Sequence, residues 1–272
     1  MFNKKNCKIP LDKFISYALY HPKKGYYMKK IPFGKDGDFI TAPNISKIFS
    51  EMIFLWLISF WEKFYKDKKI NIVELGAGNG EMIHQIISSS KKFDNFYSKC
   101  NFIIYEKSKK LIKLQKEKLK HYKIKWVKNL YSLENRPTIF LGNEFLDALP
   151  IKQFKMINEN VFERYVNLEK SRIKFVFKKA AKKEINKLKI YKLLKDQGVI
   201  EYPEYGFKEL SIICEKIKKL NGGALFIDYG YKDKKNVSTL QSVMRHKFNN
   251  INKNIGNADI TSLVNFGLYK SY

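Results

Sequence analysis

The chain has 272 residues, of which 44% are hydrophobic, and its 53 basic and 26 acidic residues leave a formal net charge of +27. That length builds one sizeable core or a core plus a small subdomain, and three scattered cysteines, Cys7, Cys100 and Cys214, exclude a local CxxC pair and a disulfide framework, as fits a reducing compartment. The longest apolar run, at 52–61, is about half a membrane span, and residues 1–16 carry no signal-like apolar region, so no transmembrane segment and no secretory signal are expected.

In chain order, residues 1–70 read as an N-terminal helical segment interrupted by HPKKGYYMKKIPFGKDGDFITAPN, a loop of about two dozen residues. A loop that long in a compact domain usually serves function. MIFLWLISFW, flanked by Glu51 and Glu62, reads as a buried helix. From residue 71 strand and helix alternate: NIVELG, then GEMIHQIISSS; NFIIYEKS, then KKLIKLQKEKLK; then IKWVKNL, TIFLGNE and, much later, ALFIDYG. Near-continuous apolar strands separated by helices predict a parallel sheet covered on both faces, a doubly wound α/β core. QFKMI, VFERYVNL and RIKFVF interrupt it as a small antiparallel meander, followed by a lysine-rich amphipathic helix. The expected division is 1–70, a helical segment with the GDFITAP loop; 71–150, the ligand-binding α/β core; 151–200, the inserted meander and helix; and 201–272, a continuation of the core.

The stretch NIVELGAGNGEM places Gly76, Gly78 and Gly80 after a strand and before a helix. Such glycines permit a tight turn and close backbone approach, while the helix start offers free N–H groups. Glu74 stands near the end of the first strand and Glu106 closes the second, where an acid accepts hydrogen bonds from ribose hydroxyls. The spacing is GxGxG rather than the GxGxxG of dinucleotide sites, and Glu81 follows at once. A carboxylate there disfavours a pyrophosphate and tolerates a sulfonium cation. S-adenosylmethionine is the favoured ligand, with NAD and a purely structural turn as the alternatives.

At the end of the fourth core strand, GNEFLDALP gathers Asn143, Glu144 and Asp147 where open α/β sheets bind ligands. If a helical turn begins there, Glu144 and Asp147, three apart, face one pocket and match a guanidinium fork. In the competing reading Asp147 caps the turn and Glu144 packs against a backbone N–H.

The positive charge is almost all lysine: Arg136, Arg164, Arg172 and Arg245 are the four arginines. Nucleic-acid readers favour arginine forks and aromatic runs, which this sequence lacks. A solvated lysine coat is therefore preferred to a basic face for a protein partner, and both to nucleic acid.

GYYMKKIPFGKDGDFITAPNIS, IVELGAGNGEM, GNEFLDALPIKQF, FERYV, IEYP, GGALFIDYGY, STLQSVMRHK and NADITSLVNF resemble, in the same order, segments of the MidA family over roughly residues 10–266. The resemblance implies a class I S-adenosylmethionine-dependent methyltransferase, a Rossmann-like sheet with an N-terminal helical segment and a small inserted β subdomain. It implies symmetric dimethylation of an arginine in a complex I subunit, the mitochondrial members being assembly factors for that complex; the alternative is a non-catalytic assembly factor that retains the donor fold. It places bacterial members in the cytoplasm and eukaryotic relatives in the mitochondrial matrix, with a protein partner, no nucleic acid and no metal.

By the same resemblance Glu74, Gly76, Gly78, Gly80, Glu106, Asn143 and Asp228 hold the donor, and Glu144, Asp147 and His246 are the catalytic candidates. Gly34, Gly37, Asp38, Phe39, Thr41, Ala42 and Pro43 match the family's signature loop, and Tyr229 and Gly230 its strand-end motif near the substrate. Ala77 stands in place of a usual proline, Asn44 of a glutamate, and Leu263 and Asn265 of a histidine and an aspartate. The chain ends soon after NADITSLVNF, so against the family the C-terminus reads as shortened and without the last strands of the sheet.

Overall fold

The computed structural model describes residues 7–34, 37–169, 172–195, 198–233 and 237–272. A strand, β1 (Cys7–Pro10), runs directly into α1 (Leu11–Tyr20); short α2 (Tyr26–Lys29) and α3 (Ala42–Ile45) precede the long α4 (Lys47–Tyr65). Then follow β2 (Ile70–Leu75), α5 (Glu81–Ser90), α6 (Asp94–Lys99), β3 (Cys100–Tyr105), α7 (Lys109–Lys118), β4 (Ile124–Val127) and β5 (Thr138–Asn143). Next come β6 (Lys152–Ile157), β7 (Asn160–Glu169), β8 (Arg172–Lys179), α8 (Lys182–Ile190), β9 (Val199–Tyr202), α9 (Glu204–Leu220) and β10 (Gly222–Ile227). The chain forms two compact units, a sheet unit of Tyr27–Phe145 with Leu210–Asp228, and a second of Met1–Tyr26, Leu146–Glu209 and Tyr229–Tyr272.

In the sheet unit five parallel strands lie in the order β10-β5-β2-β3-β4. Successive residues point to opposite faces, and both faces are apolar. Ile70, Ile72, Phe102, Ile104, Ile139 and Leu141 pack with α4 and α5, while Val73, Leu75, Ile103, Tyr105 and Phe140 pack with Ile213 of α9. The strand order reverses between β2 and β5, so the carboxyl ends of those two strands flank the crevice where open sheets take ligands. The Rossmann-like parallel sheet expected from the sequence is present, with each strand within two residues of its predicted start.

Three expectations need adjustment. The long loop is not structureless: α2, α3 and a bridge between Phe33 and Phe39 occupy it. α4 is not buried all round, because Ile53, Phe54, Leu57, Ile58 and Trp61 face the core while Met52 and Leu55 are exposed. Its apolar residues outnumber one helical face, and a single face is all the sheet covers. The stretch 201–272 is divided, since Leu210–Asp228 belongs to the sheet unit and the residues on either side of it to the second.

The second unit holds the meander as an antiparallel sheet ordered β1-β7-β6-β9, with β8 on β7. The N-terminal strand β1 was not legible, four residues being too few to show a period. Phe154, Val161, Leu188, Tyr202 and Phe207 form its core. Buried Lys152 pairs with Glu163 at 2.6 Å and Asp12 at 3.7 Å, and the buried amide of Gln153 donates to Glu201 at 2.7 Å and accepts from Arg164 at 2.6 Å. These partners satisfy charges that burial would otherwise penalise.

Candidate active site

The turn after β2 is built by Gly76, Gly78 and Gly80, all with φ between 54° and 77°. A side chain is strained in this left-handed region, and at Gly78 a Cβ would also lie 3.1 Å from the ring of Phe33. The signature loop therefore sits on the turn. Asn79 of the turn donates to Asn44 at 2.7 Å, and Gln85 of α5 donates to the carbonyl of Pro43 at 3.1 Å. Inside the loop, buried Asp38 pairs with Lys30 at 2.5 Å, and Phe33 and Phe39 meet edge to face with centroids 5.2 Å apart. Gly37 is required by close approach, because a Cβ there would fall 2.2 Å from the Pro32 carbonyl oxygen. Thr41 lies at the start of α3 and accepts a hydrogen bond from Asn44 at 2.8 Å.

Two acids lie buried beside the turn. Glu106 continues from β3, and one oxygen accepts the N–H groups of Lys107 and Ser108, both at 2.8 Å. Its other oxygen receives a longer bond, 3.4 Å, from Gln115. Burial raises its pKa, with Ser108, Gln115 and Lys107 offsetting part of the rise. Gln115 also donates to the carbonyl of Gly78 at 2.9 Å and accepts from the indole of Trp126 at 3.0 Å. The sequence reading missed this residue; the signal was a polar side chain on the apolar stripe of α7, in line with Leu111 and Leu119.

Glu74 accepts the N–H of Ile83 in the first turn of α5 and has a second oxygen, Oε2, that is buried without a hydrogen-bond partner. Burial, reinforced by the charge of Glu106, pushes its pKa from 4.5 up to about 8. Glu74 is therefore neutral at pH 7 in the folded chain and ionised in the unfolded one. Its contribution to stability is complete below pH 4.5 and lost as pH rises to about 8. A shift of that size corresponds to roughly 4 to 5 kcal/mol. Denaturant unfolding at pH 5 and pH 8 is expected to show lower stability at pH 8, and Glu74→Gln is expected to flatten the difference.

At the carboxyl end of β5 the chain turns sharply. Glu144 adopts φ 50°, outside the helical turn that the sequence suggested, and its N–H donates to the carbonyl of Ile227 at 2.9 Å. The side chain is half-buried, and its pKa is raised first by burial and then by the charge of Asp228. Hydrogen bonds from Asn143 and from the backbone N–H of Ala42 offset part of that rise. A non-glycine residue held at positive φ stores strain that surrounding structure has to impose. Asn143, Glu144 and Asp228 thus assemble at neighbouring strand ends, together with the signature loop.

Asp147, Tyr229 and His246 belong to the second unit. The carbonyl of Asp147 accepts the N–H of Ser262 at 3.3 Å, and that of Tyr229 accepts from Val264 at 2.8 Å. His246 and Arg245 form the exposed tip of a hairpin between Gln241–Met244 and Lys247–Phe248, both at positive φ as a two-residue turn needs. The carboxylate whose charge acts on Glu144 is Asp228, in the same unit. Among the described residues no group of three or more metal-ligating side chains occurs, and no described helix is long and apolar enough to cross a membrane.

A parallel sheet with a glycine turn at its switch point and buried acids at the two neighbouring strand ends is the arrangement of a nucleotide-binding α/β fold. Residues 52–271 match the family described as "Putative S-adenosyl-L-methionine-dependent methyltransferase", and the chain belongs to that family. S-adenosylmethionine is the cofactor this membership assigns. The left-handed glycine turn and the acids Glu74 and Glu106 fit such a group, offering close backbone approach and carboxyl oxygens as acceptors.

The chain is 26% identical to the Protein arginine methyltransferase NDUFAF7 homolog, mitochondrial, of Drosophila melanogaster, over 96% of this chain and 66% of that one. It is 27% identical to the human Protein arginine methyltransferase NDUFAF7, mitochondrial, over 95% and 64%. It thus spans about two-thirds of the length of these curated relatives. A Burkholderia thailandensis methyl-transferase candidate solved with S-adenosyl-homocysteine superposes with a TM-score of 0.80 at 24% identity, covering 96% of this chain and 70% of that one. At that identity the likeness establishes the fold.

Proposed function

We propose that the chain is a protein-arginine N-methyltransferase that dimethylates its target symmetrically, the target being a subunit of respiratory complex I. The names of the curated relatives support this reading, and the observation that carries it is the half-buried Glu144 beside Asn143 and Asp228 at the strand ends. The Glu144 carboxylate supplies planar acceptors for a guanidinium. Asp147 is retained as a further candidate acceptor on the resemblance of GNEFLDALP to the MidA family. For a bacterial chain the proposed location is the cytoplasm.

When bound, S-adenosylmethionine supplies the methyl group from its sulfonium. Gly76, Gly78 and Gly80 would seat it, and Glu74 and Glu106, with Asn143 and Asp228, would hold its polar groups. Glu144 would orient the guanidinium and favour its charge on one nitrogen, and the proton given up by the methylated nitrogen would leave to a carboxylate of this cluster or to water. Alignment and charge placement account for most of such a rate. Radiolabelled methyl transfer into an extract of cells lacking this protein is expected to mark arginine. Label in lysine or nucleic acid would reject the assignment, and no label from a donor-binding chain would favour the non-catalytic assembly factor.

The loop at 33–43, with Phe39 packed on Phe33 and Phe33 on Gly78, is proposed to close over the donor. Backbone hydrogen exchange with saturating S-adenosyl-homocysteine is expected to show protection there. An unchanged profile would leave the loop a structural connection.

A further inference from the structure

A groove of about 550 Å³ opens at the free edge of the sheet, lined by Lys109, Ile112, Lys113 and Lys116 of α7 and by Trp126 and Lys128 at β4. The α7 positions recur at the spacing of a single helical face, one largely exposed and distinct from the buried stripe of Leu111 and Gln115. Four ammonium groups line this space and no carboxylate does. Three neighbouring lysines are engaged elsewhere: Lys110 donates to the Lys29 carbonyl, Lys118 pairs with Glu81, and Lys125 with Glu134. Among the described residues Lys109, Lys113 and Lys128 have no ion pair or hydrogen bond of their own.

β4 pairs with β3 on one side alone, so its other side presents unused backbone N–H and C=O groups. We infer that this groove docks an acidic peptide segment in extended conformation, adding to β4 as a strand with its carboxylates among the four lysines. Trp126 disfavours nucleic acid: its N–H is committed to Gln115 and the ammonium of Lys116 lies over its ring at 5.6 Å, so a stacked base would have to displace that cation. Charge complementarity and an open strand edge both select a peptide.

The test uses a fluorescein-labelled octapeptide of alternating Glu and Thr, followed by anisotropy with the full chain. The double variant Lys113→Glu/Lys116→Glu is expected to weaken binding roughly tenfold or more. Lys182→Glu/Lys183→Glu, an equal charge change at exposed positions of α8, is expected to leave it within about twofold. Equal losses in both variants would reduce the effect to net charge and overturn the inference. A labelled single-stranded DNA octamer that bound more tightly than the peptide, and was displaced from the same lysines, would overturn the peptide assignment. Should the groove variant not fold, exchange on the unmodified chain decides: the peptide is expected to protect amides of 124–127, and unchanged exchange there refutes docking on β4. Donor binding plays no part in either readout, so failure here and failure of the arginine assignment are separable.

Discussion

Replacing Gly78 with valine is expected to abolish measurable binding of S-adenosylmethionine in isothermal titration, even at millimolar ligand, while the chain remains folded. The backbone there has φ 54°, and a Cβ would meet the Phe33 ring at 3.1 Å. A β-branched residue in the left-handed region costs about 1 to 2 kcal/mol, which lowers the unfolding midpoint without removing the fold. The larger effect is on the ligand, because the added methyl groups displace the Phe33 ring packed on the turn and block close approach to its backbone. Gly78→Ala should fall between the two, since Phe33 need give way by a few tenths of an ångström to admit one carbon. Full affinity in the valine variant would show that the turn is structural and that the donor is held elsewhere.

The second large effect concerns chemistry. Glu144→Gln is expected to leave donor affinity within a few-fold and to cut methyl transfer by about 10² or more, the loss of a charged hydrogen-bond partner worth roughly 2 to 4 kcal/mol. The pH dependence follows with a definite sign. Burial and the Asp228 charge raise the Glu144 pKa, and the ionised form is the one that binds a guanidinium. Activity should therefore fall as pH is lowered, with its acid limb above the ordinary glutamate range. Asp228→Asn removes one of the raising charges and should move that limb to lower pH, an outcome that a merely structural Asp228 would not produce. If Asp147 is the true partner, Asp147→Asn will show the rate loss and Asp228→Asn will not shift the limb.

The sheet was legible because its strands are apolar on both faces and its helices carry a 3.6-residue period, signals set by local burial. The glycine turn, Glu74, Glu106 and the strand-end acids were legible for the same reason, since each directly follows or closes a strand. What escaped were relations between segments far apart in sequence. The N–H of Ala42 reaching Glu144, and Asn44 meeting Asn79, depend on where a loop returns. The helical turn assumed after Asn143 failed because Glu144 adopts a positive φ, a conformation that glutamate does not advertise. Residue spacing also left open which acid acts on Glu144, whereas strand pairing of β10 with β5 brings Asp228 there.

Gln115 has both ends of its amide committed, donating toward Gly78 and Glu106 and accepting from Trp126. Its oxygen and nitrogen cannot exchange places without breaking three bonds, so the chain of dipoles has a single polarity from indole to carboxylate. Any event that changes the charge on Glu106 alters the pull on that amide and hence on the indole N–H. With Trp56 and Trp61 replaced by phenylalanine, the emission of the remaining indole becomes an optical readout of the carboxylate beside the glycine turn, and the protein supplies its own probe of that pocket.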